Sequence, residues 1–467
     1  MAQIDQAAPV QSLYDRIKDA EYGVQKYLSS ADLQALCLVS KTCRASAEPL
    51  LYSRLEWTWD HEHTPPIILF VRTILQRPQL ATYVQSFKLL GDHLSKTPCW
   101  TDPVPTITTT ALDITNDVQP LIRAMKVPFA ADWIENLSLG TVDAWLALLL
   151  SRFYRLEELV IRRSSTRRTK FIGHIFSLAM SRNTHHGISF FDRLRSVEYR
   201  NSGFKNVDGN FTPHVLPFFY LPSLQHLLVN IGRPSPTRWP KSAPVMDNLT
   251  SLHLRYARES QLREVLSLTP TLKSLCWFWY HNSESKYIHD PPLIDLDHIV
   301  TILSIVRESL ESLTIYAECE SDFVERPYLE MLGSMRGLRS FKLKNLELPL
   351  CFLGTFEPDN GVRFEHVVPK TIESLVVTLG LYPHTVLHPS YFDQNKWDGY
   401  SLLPAIYSWM DSWREFHPRL RFLDVPVMEL HWEWDTAMGE ELAKAGSKHG
   451  VTVVSDIERD CLEYSCL

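Results

Sequence analysis

The chain has 467 residues, 45% of them apolar and 22% charged, with a formal net charge of −7. That balance supplies enough apolar surface for a core and excludes wholesale disorder. The negative sign argues against a general nucleic-acid or anionic-membrane surface, although a local basic patch stays compatible with it.

Along the chain, MAQIDQAAPVQSLYDR lacks the basic and apolar regions of a secretion signal, and no apolar run approaches the ~18–20 residues needed to span a bilayer. The eight cysteines have no paired short spacing and read as free thiols of a cytoplasmic or nuclear protein. Residues 24–59 follow as VQKYLSSADLQALCLVSKTCRASAEPLLYSRLEWTW. Ser30 is placed to cap a short helix carrying Leu33, Leu36 and Cys37. A second helix, holding Cys43 and Ala47, is expected to end near Pro49. A division into a helical segment over 1–60 and a repeat region over 61–467 follows.

The repeat is a hexamer with apolar residues at positions one, four and six. Candidates start at Val84, Ile134, Leu156, Leu194, Leu224, Leu249, Leu272, Leu310, Leu338, Ile372 and Leu420. Positions four and six share one side of a short strand, because side chains alternate with period two. Position one enters from the preceding turn. No single repeat can close the resulting interior, so stacking is obligatory. Helical spacing precedes several hexamers: Leu262, Val265 and Leu266; Ile299, Leu303 and Val306; Ile406, Trp409, Met410 and Trp413. Pro222, Pro270 and Pro418 each stand two residues before position one as breaks. Helix alternating with short strand implies a parallel sheet with the helices outside. Serine recurs at position three (86, 196, 251, 274, 312, 340, 374), as a small residue where strands crowd or as a hydroxyl ladder.

These hexamers resemble those of leucine-rich-repeat proteins, which implies an α/β solenoid: a curved parallel sheet with outer helices. The Asn or Cys that such repeats place three residues after position six is replaced here, for example by Ala257, Glu318 and Leu346. The N-terminal pattern Tyr27-Leu28, Asp32-Leu33, Leu36, Val39-Ser40 and Arg44, running on to Pro49-Leu50-Leu51-Tyr52, resembles an F-box of the fungal type paired with such repeats. It departs at its opening, where Arg16 and Ile17 stand in the usual Leu-Pro slots. The resemblance implies that Tyr27, Leu28, Asp32, Leu33, Leu36, Val39, Ser40 and Arg44 contact the Skp-type adaptor of a cullin–RING ubiquitin ligase, while the repeats hold a protein target.

Catalytic signatures are missing: no phosphate-binding glycine loop, HExxH, paired CxxC or G-x-S-x-G occurs, so no cofactor, metal or catalytic residue is expected. His61-Glu62-His63 and His185-His186 read as solvated loops, and Arg162 to Lys170 as a basic inter-repeat loop or a site for an acidic target. In the cluster from Cys276 to His281, Trp277 falls on the core side and Phe278 on the opposite, concave side. Continuing the alternation, that side should also carry Arg162, Arg200, Leu228, Arg255, Tyr316, Lys342 and Lys344. Arginine beside exposed aromatics is the composition of a binding hot spot; the same aromatics can also be ordinary surface covered by insertions. The sequence therefore points to a non-enzymatic ligase adaptor. A scaffold with a degenerate F-box is one alternative. The other is a small-molecule binder or enzyme with a cavity closed by the insertions at 91–133 or 379–419.

Overall fold

The computed structural model describes residues 28–60, 62–91, 106–162, 170–181, 186–200, 212–231, 239–282, 293–320, 330–353, 364–378, 399–425 and 436–454. Its strands are β1 Arg54–Thr58, β2 Ser86–Leu90, β3 Glu158–Ile161, β4 Ser196–Tyr199, β5 His226–Asn230, β6 Ser251–Arg255, β7 Ser274–Asn282, β8 Leu293–Asp295, β9 Ser312–Glu320, β10 Glu330–Leu332, β11 Asn345–Pro349, β12 Ser374–Thr378, β13 Phe422–Asp424 and β14 Thr452–Val454. Twelve of them form one parallel sheet in the order β1-β2-β3-β4-β5-β6-β7-β9-β11-β12-β13-β14, and β8 and β10 pair apart. Strand order thus follows chain order, the arrangement of a solenoid-like α/β stack in which each unit touches its neighbours.

Register explains the burial. Phe87, Leu159, Val197, Leu227, Leu252, Leu275, Leu313, Leu346, Leu375 and Leu423 occupy one aligned row across the sheet. All are buried in the main core, as are the residues two further along, from Leu89 through Leu254, Trp277 and Leu348 to Val425. Among the helices are α1 Ser30–Val39, α2 Lys41–Leu51, α3 Ile67–Gln76, α4 Ala130–Ser138, α5 Val142–Leu150, α6 Phe171–Met180, α7 Glu259–Leu266, α8 Leu296–Leu303, α9 Gly399–Phe416 and α10 Thr436–His449. The helices after β1 contribute their buried side chains to this same core, and α1 and α2 precede β1. Contacts run α3 to α5, α5 to α6, α7 to α8 and α9 to α10, a helical layer beside the sheet. Leu262, Val265 and Leu266, Ile299 and Leu303, and Ile406, Trp409, Met410 and Trp413 are the side chains these helices bury against the strands.

Four expectations are corrected. The hexamer at Ile134 lies in α4, where Trp133 and Leu137 are buried at helical spacing and Gly140 follows in the left-handed region. The hexamer at Leu338 is out of register, because Leu338 closes a 3-10 turn over Met335–Ser340 and the strand begins at Asn345. Its apolar triplet is Leu343, Leu346 and Leu348, each buried. In the N-terminal segment the cap of α1 is Ser29, not Ser30. Asp32 donates its N–H to Ser29 Oγ (3.2 Å) and its carboxylate accepts from the Ser29 N–H (3.2 Å), a reciprocal capping box. Finally, β1 and β14 extend the sheet beyond the first and last hexamers. Leu55 and Val451 are buried at these ends of the stack. The sheet therefore already includes Arg54, and α1 and α2 stand immediately before its first strand.

One polar clasp ties two helices together. Asp143, on α5, is 6% exposed. Its carboxylate accepts from the backbone N–H groups of Lys170 (2.6 Å), Phe171 (2.7 Å) and Ile172 (3.2 Å) at the start of α6. Burial outweighs these donors and pushes the carboxyl up to about 6. A folded-state value above the ordinary 3.8 means that the native state holds the proton more tightly. The stability contributed is therefore complete below about 4 and is lost as the pH rises through about 6. Urea titrations of the wild type and Asp143→Asn at several pH values test this. The wild type should lose about 1 kcal/mol or more relative to the variant between pH 4 and 7; a flat difference would contradict it.

Candidate functional site

The face of the sheet away from the helices is built from strand positions five and seven, and register places them in two rows. One row runs Glu198, Leu228, His253, Cys276, Thr314 and Glu347. The other contains Asn230, Arg255, Phe278 and Tyr316 in aligned register, with Arg200 at the end of β4 beside Asn230. Where β4 to β9 meet, the rows enclose a partly open cavity of roughly 260 Å³. Among the described residues, Arg200, His253 and Arg255 line one side of it; Cys276, Phe278, Thr314 and Tyr316 line the other.

Four residues expected on this face therefore converge: Arg200, Arg255, Phe278 and Tyr316. They are not, however, exposed as a row of surface anchors. Phe278 is 4% exposed and Arg255 5%, which corrects the expectation of exposed aromatics. The reason is a second, small apolar cluster on this face, made by Tyr256 and Phe278 with Tyr316 packed against it. By simple alternation Tyr256 would enter the main core. Its backbone has φ +66°, which breaks the alternation and leaves its ring edge-on to Phe278 at 5.2 Å between centroids. The Arg255 guanidinium stacks over both rings, 5.0 Å from the Phe278 centroid and 5.4 Å from that of Tyr256.

Ion pairs set the rim. Glu198 Oε1 lies 2.9 Å from Arg200 Nε and 3.3 Å from Arg162 Nε, so Arg162 joins the site through a shared carboxylate. At the far side the Tyr316 hydroxyl donates to Glu347 Oε1 (2.8 Å). Lys342 and Lys344 do not belong here. The five-residue register shift puts them ahead of β11, where they pair with Glu308 (2.9 Å) and Glu311 (2.5 Å). Glu347 takes the place assigned to them on the face.

His253, Cys276, Thr314, Glu198 and Glu347 were not singled out for this site from the sequence. Their signal in the sequence is strand position five, the position of Leu228, two residues before the one that carries Arg200, Arg255, Phe278 and Tyr316. Burial, and then the positive Arg255 and Arg200, push the His253 imidazole down to about 3, so it is neutral at ordinary pH. Burial, reinforced by Glu347, pushes the Cys276 thiol up to about 12, which makes it an inert thiol rather than a nucleophile. Among the described residues no group of His, Cys, Asp or Glu is arranged to hold a metal ion. The pocket offers cations, rings and hydroxyls for binding.

Tyr27 and the usual Leu-Pro slots at Arg16 and Ile17 lie outside the described residues, as do residues 163–169 of the basic run and residues 379–398 of the insertion at 379–419. Leu33 is buried, while Leu28 and Leu36 are half-buried. Asp32 and Ser40 serve as caps, Ser40 Oγ accepting from the Cys43 N–H (3.0 Å). Arg44 Nε donates to the Cys37 carbonyl (3.0 Å), holding α1 against α2. Val39 is 70% exposed and Leu38 81% exposed, two adjacent large apolar side chains at the end of α1. No helix among the described residues is long and apolar enough to cross a membrane. No protein-family model matches the sequence, and a search of curated proteins finds no significant match.

Proposed function

We propose that the chain is a substrate-recognition adaptor of a cullin–RING ubiquitin ligase, a protein of the cytosol or nucleus in which an F-box-like helix pair precedes a leucine-rich-repeat solenoid. In this reading α1 and α2 dock a Skp-type adaptor, and the sheet face away from the helices holds a protein target through Arg162, Arg200, Arg255, Phe278 and Tyr316. The observation that carries the docking half is the exposed apolar pair Leu38 and Val39. Water-facing leucine and valine at the end of a capped helix support this reading, because a partner that covers them removes apolar surface from water. The uninterrupted twelve-strand stack beyond it supports the holding half.

The test is capture of a purified Skp-type adaptor by the full chain and by a Leu38→Asp/Val39→Asp double variant. Wild type should bind at micromolar concentration and the double variant at least about tenfold more weakly, the loss of ~1.4 kcal/mol or more. Both side chains are exposed, so the melting curve should not move. Absence of capture by the wild type would leave the scaffold reading in its place.

A further inference from the structure

The cavity between β4 and β9 is chemically polarised. On one side, Arg200, which directly follows β4, and Arg255 on β6 line the cavity, with Asn230 of β5 in register with Arg255. Adjacent strands lie about 4.8 Å apart, so the two arginines start within about 10 Å of one another, with one amide side chain between them. Glu198 engages Arg200 at Nε and holds that side chain at the rim. Both arginines disfavour a positive charge on His253 and favour a negative one on Cys276, while Glu347, from the β11 side, disfavours a negative charge on Cys276. Between the two ends, Phe278 forms an apolar wall.

We infer that this cavity is an oxyanion subsite: a phosphate or carboxylate group seats between Arg200 and Arg255, and the apolar stem that carries it lies along Phe278 toward Tyr316. Guanidinium forks match the planar, charge-assisted geometry of such groups. A volume of roughly 260 Å³ equals the liquid volume of about nine water molecules. It admits one such group with a ring-sized stem and is too small for a folded segment of a partner. The inference rests on reading this face as the binding face and is independent of adaptor docking by α1.

Isothermal titration calorimetry of the full chain with phenyl phosphate, benzoate and the neutral benzyl alcohol tests it. At least one of the two anions should bind, benzyl alcohol should not, and Arg200→Gln should weaken the anion about tenfold or more. Arg255→Gln is the stronger probe but removes a buried side chain. The half-buried Arg200→Gln, checked by circular dichroism, keeps the test sound if Arg255→Gln fails to fold. A second arm uses a phosphotyrosine peptide. Binding tighter than that of phenyl phosphate assigns the group to a protein target, and binding no tighter assigns it to a free small molecule; both support the subsite. Benzyl alcohol binding as tightly as the anions, unchanged affinity in Arg200→Gln, or no heat from any probe at millimolar concentration overturns it. Adaptor capture is read separately on the same protein, so failure of either assay leaves the other result standing.

Discussion

Replacing Trp277 with alanine is expected to cost about 3–5 kcal/mol of stability. The indole is fully buried on β7, in the core row shared with Leu254 and Ile315 on the flanking strands. Its Nε1–H donates to the Ala257 carbonyl (2.9 Å), which ties β7 to the turn that follows β6. Truncation therefore leaves a cavity between three strands and a carbonyl without its donor. Trp277→Phe keeps most of the volume and loses only the hydrogen bond, for about 1–3 kcal/mol. Urea denaturation followed by circular dichroism measures both, and hydrogen exchange should show the loosening centred on β6, β7 and β9, because a stack transmits strain chiefly to neighbours. A loss below about 1 kcal/mol in the alanine variant would mean that the side chain does not help to close a shared interior.

Gly140→Ala is the second large effect, at about 2–4 kcal/mol. Gly140 follows α4 with φ +72°, the left-handed conformation in which helices commonly terminate. A Cβ there would stand 2.2 Å from the Ile107 carbonyl oxygen, and that contact is backbone, which has little room to yield. The Ile107 N–H also donates to the Gly140 carbonyl (2.8 Å), so moving apart breaks a bond. Gly187→Ala is the control. It has a similar φ of +63° but nothing within 4 Å of an added Cβ. It should lose only the backbone share, about 1 kcal/mol. Equal losses at the two sites would show that the close approach to Ile107 carries no cost.

Gly140 also shows how a helix can satisfy the strand template. The hexamer at Ile134 fits the apolar template, yet the glycine that ends it is a helix stop signal. Trp133 and Leu137 are four apart and both fully buried, as a helix requires. The error at Leu338 has a different origin. Leu338, Phe341 and Leu343 overlap with Leu343, Leu346 and Leu348 as two triplets, and nothing local chooses between them. The choice is made by pairing with β9 and β12, which aligns Leu346 with Leu313 and Leu375. With that register fixed, Glu347 faces Tyr316, and Lys342 and Lys344 are left to pair with glutamates outside the rows. The candidate site was half legible: Arg200, Arg255, Phe278 and Tyr316 follow from alternation alone. Their enclosure does not, since it depends on the backbone turn at Tyr256.

The sequence by itself determined that short strands alternate with helices and which side chains they bury. Period-two and helical spacings are local properties, and Leu252, Leu275, Leu313 and Leu375 carry them without reference to the rest of the chain. Only the tertiary structure decided the register of β11, the two added strands at the ends, and the closing of Arg255 and Phe278 into a polarised cavity. Those features arise between residues more than twenty apart in the chain, and cross-strand neighbours become neighbours only once the sheet has stacked.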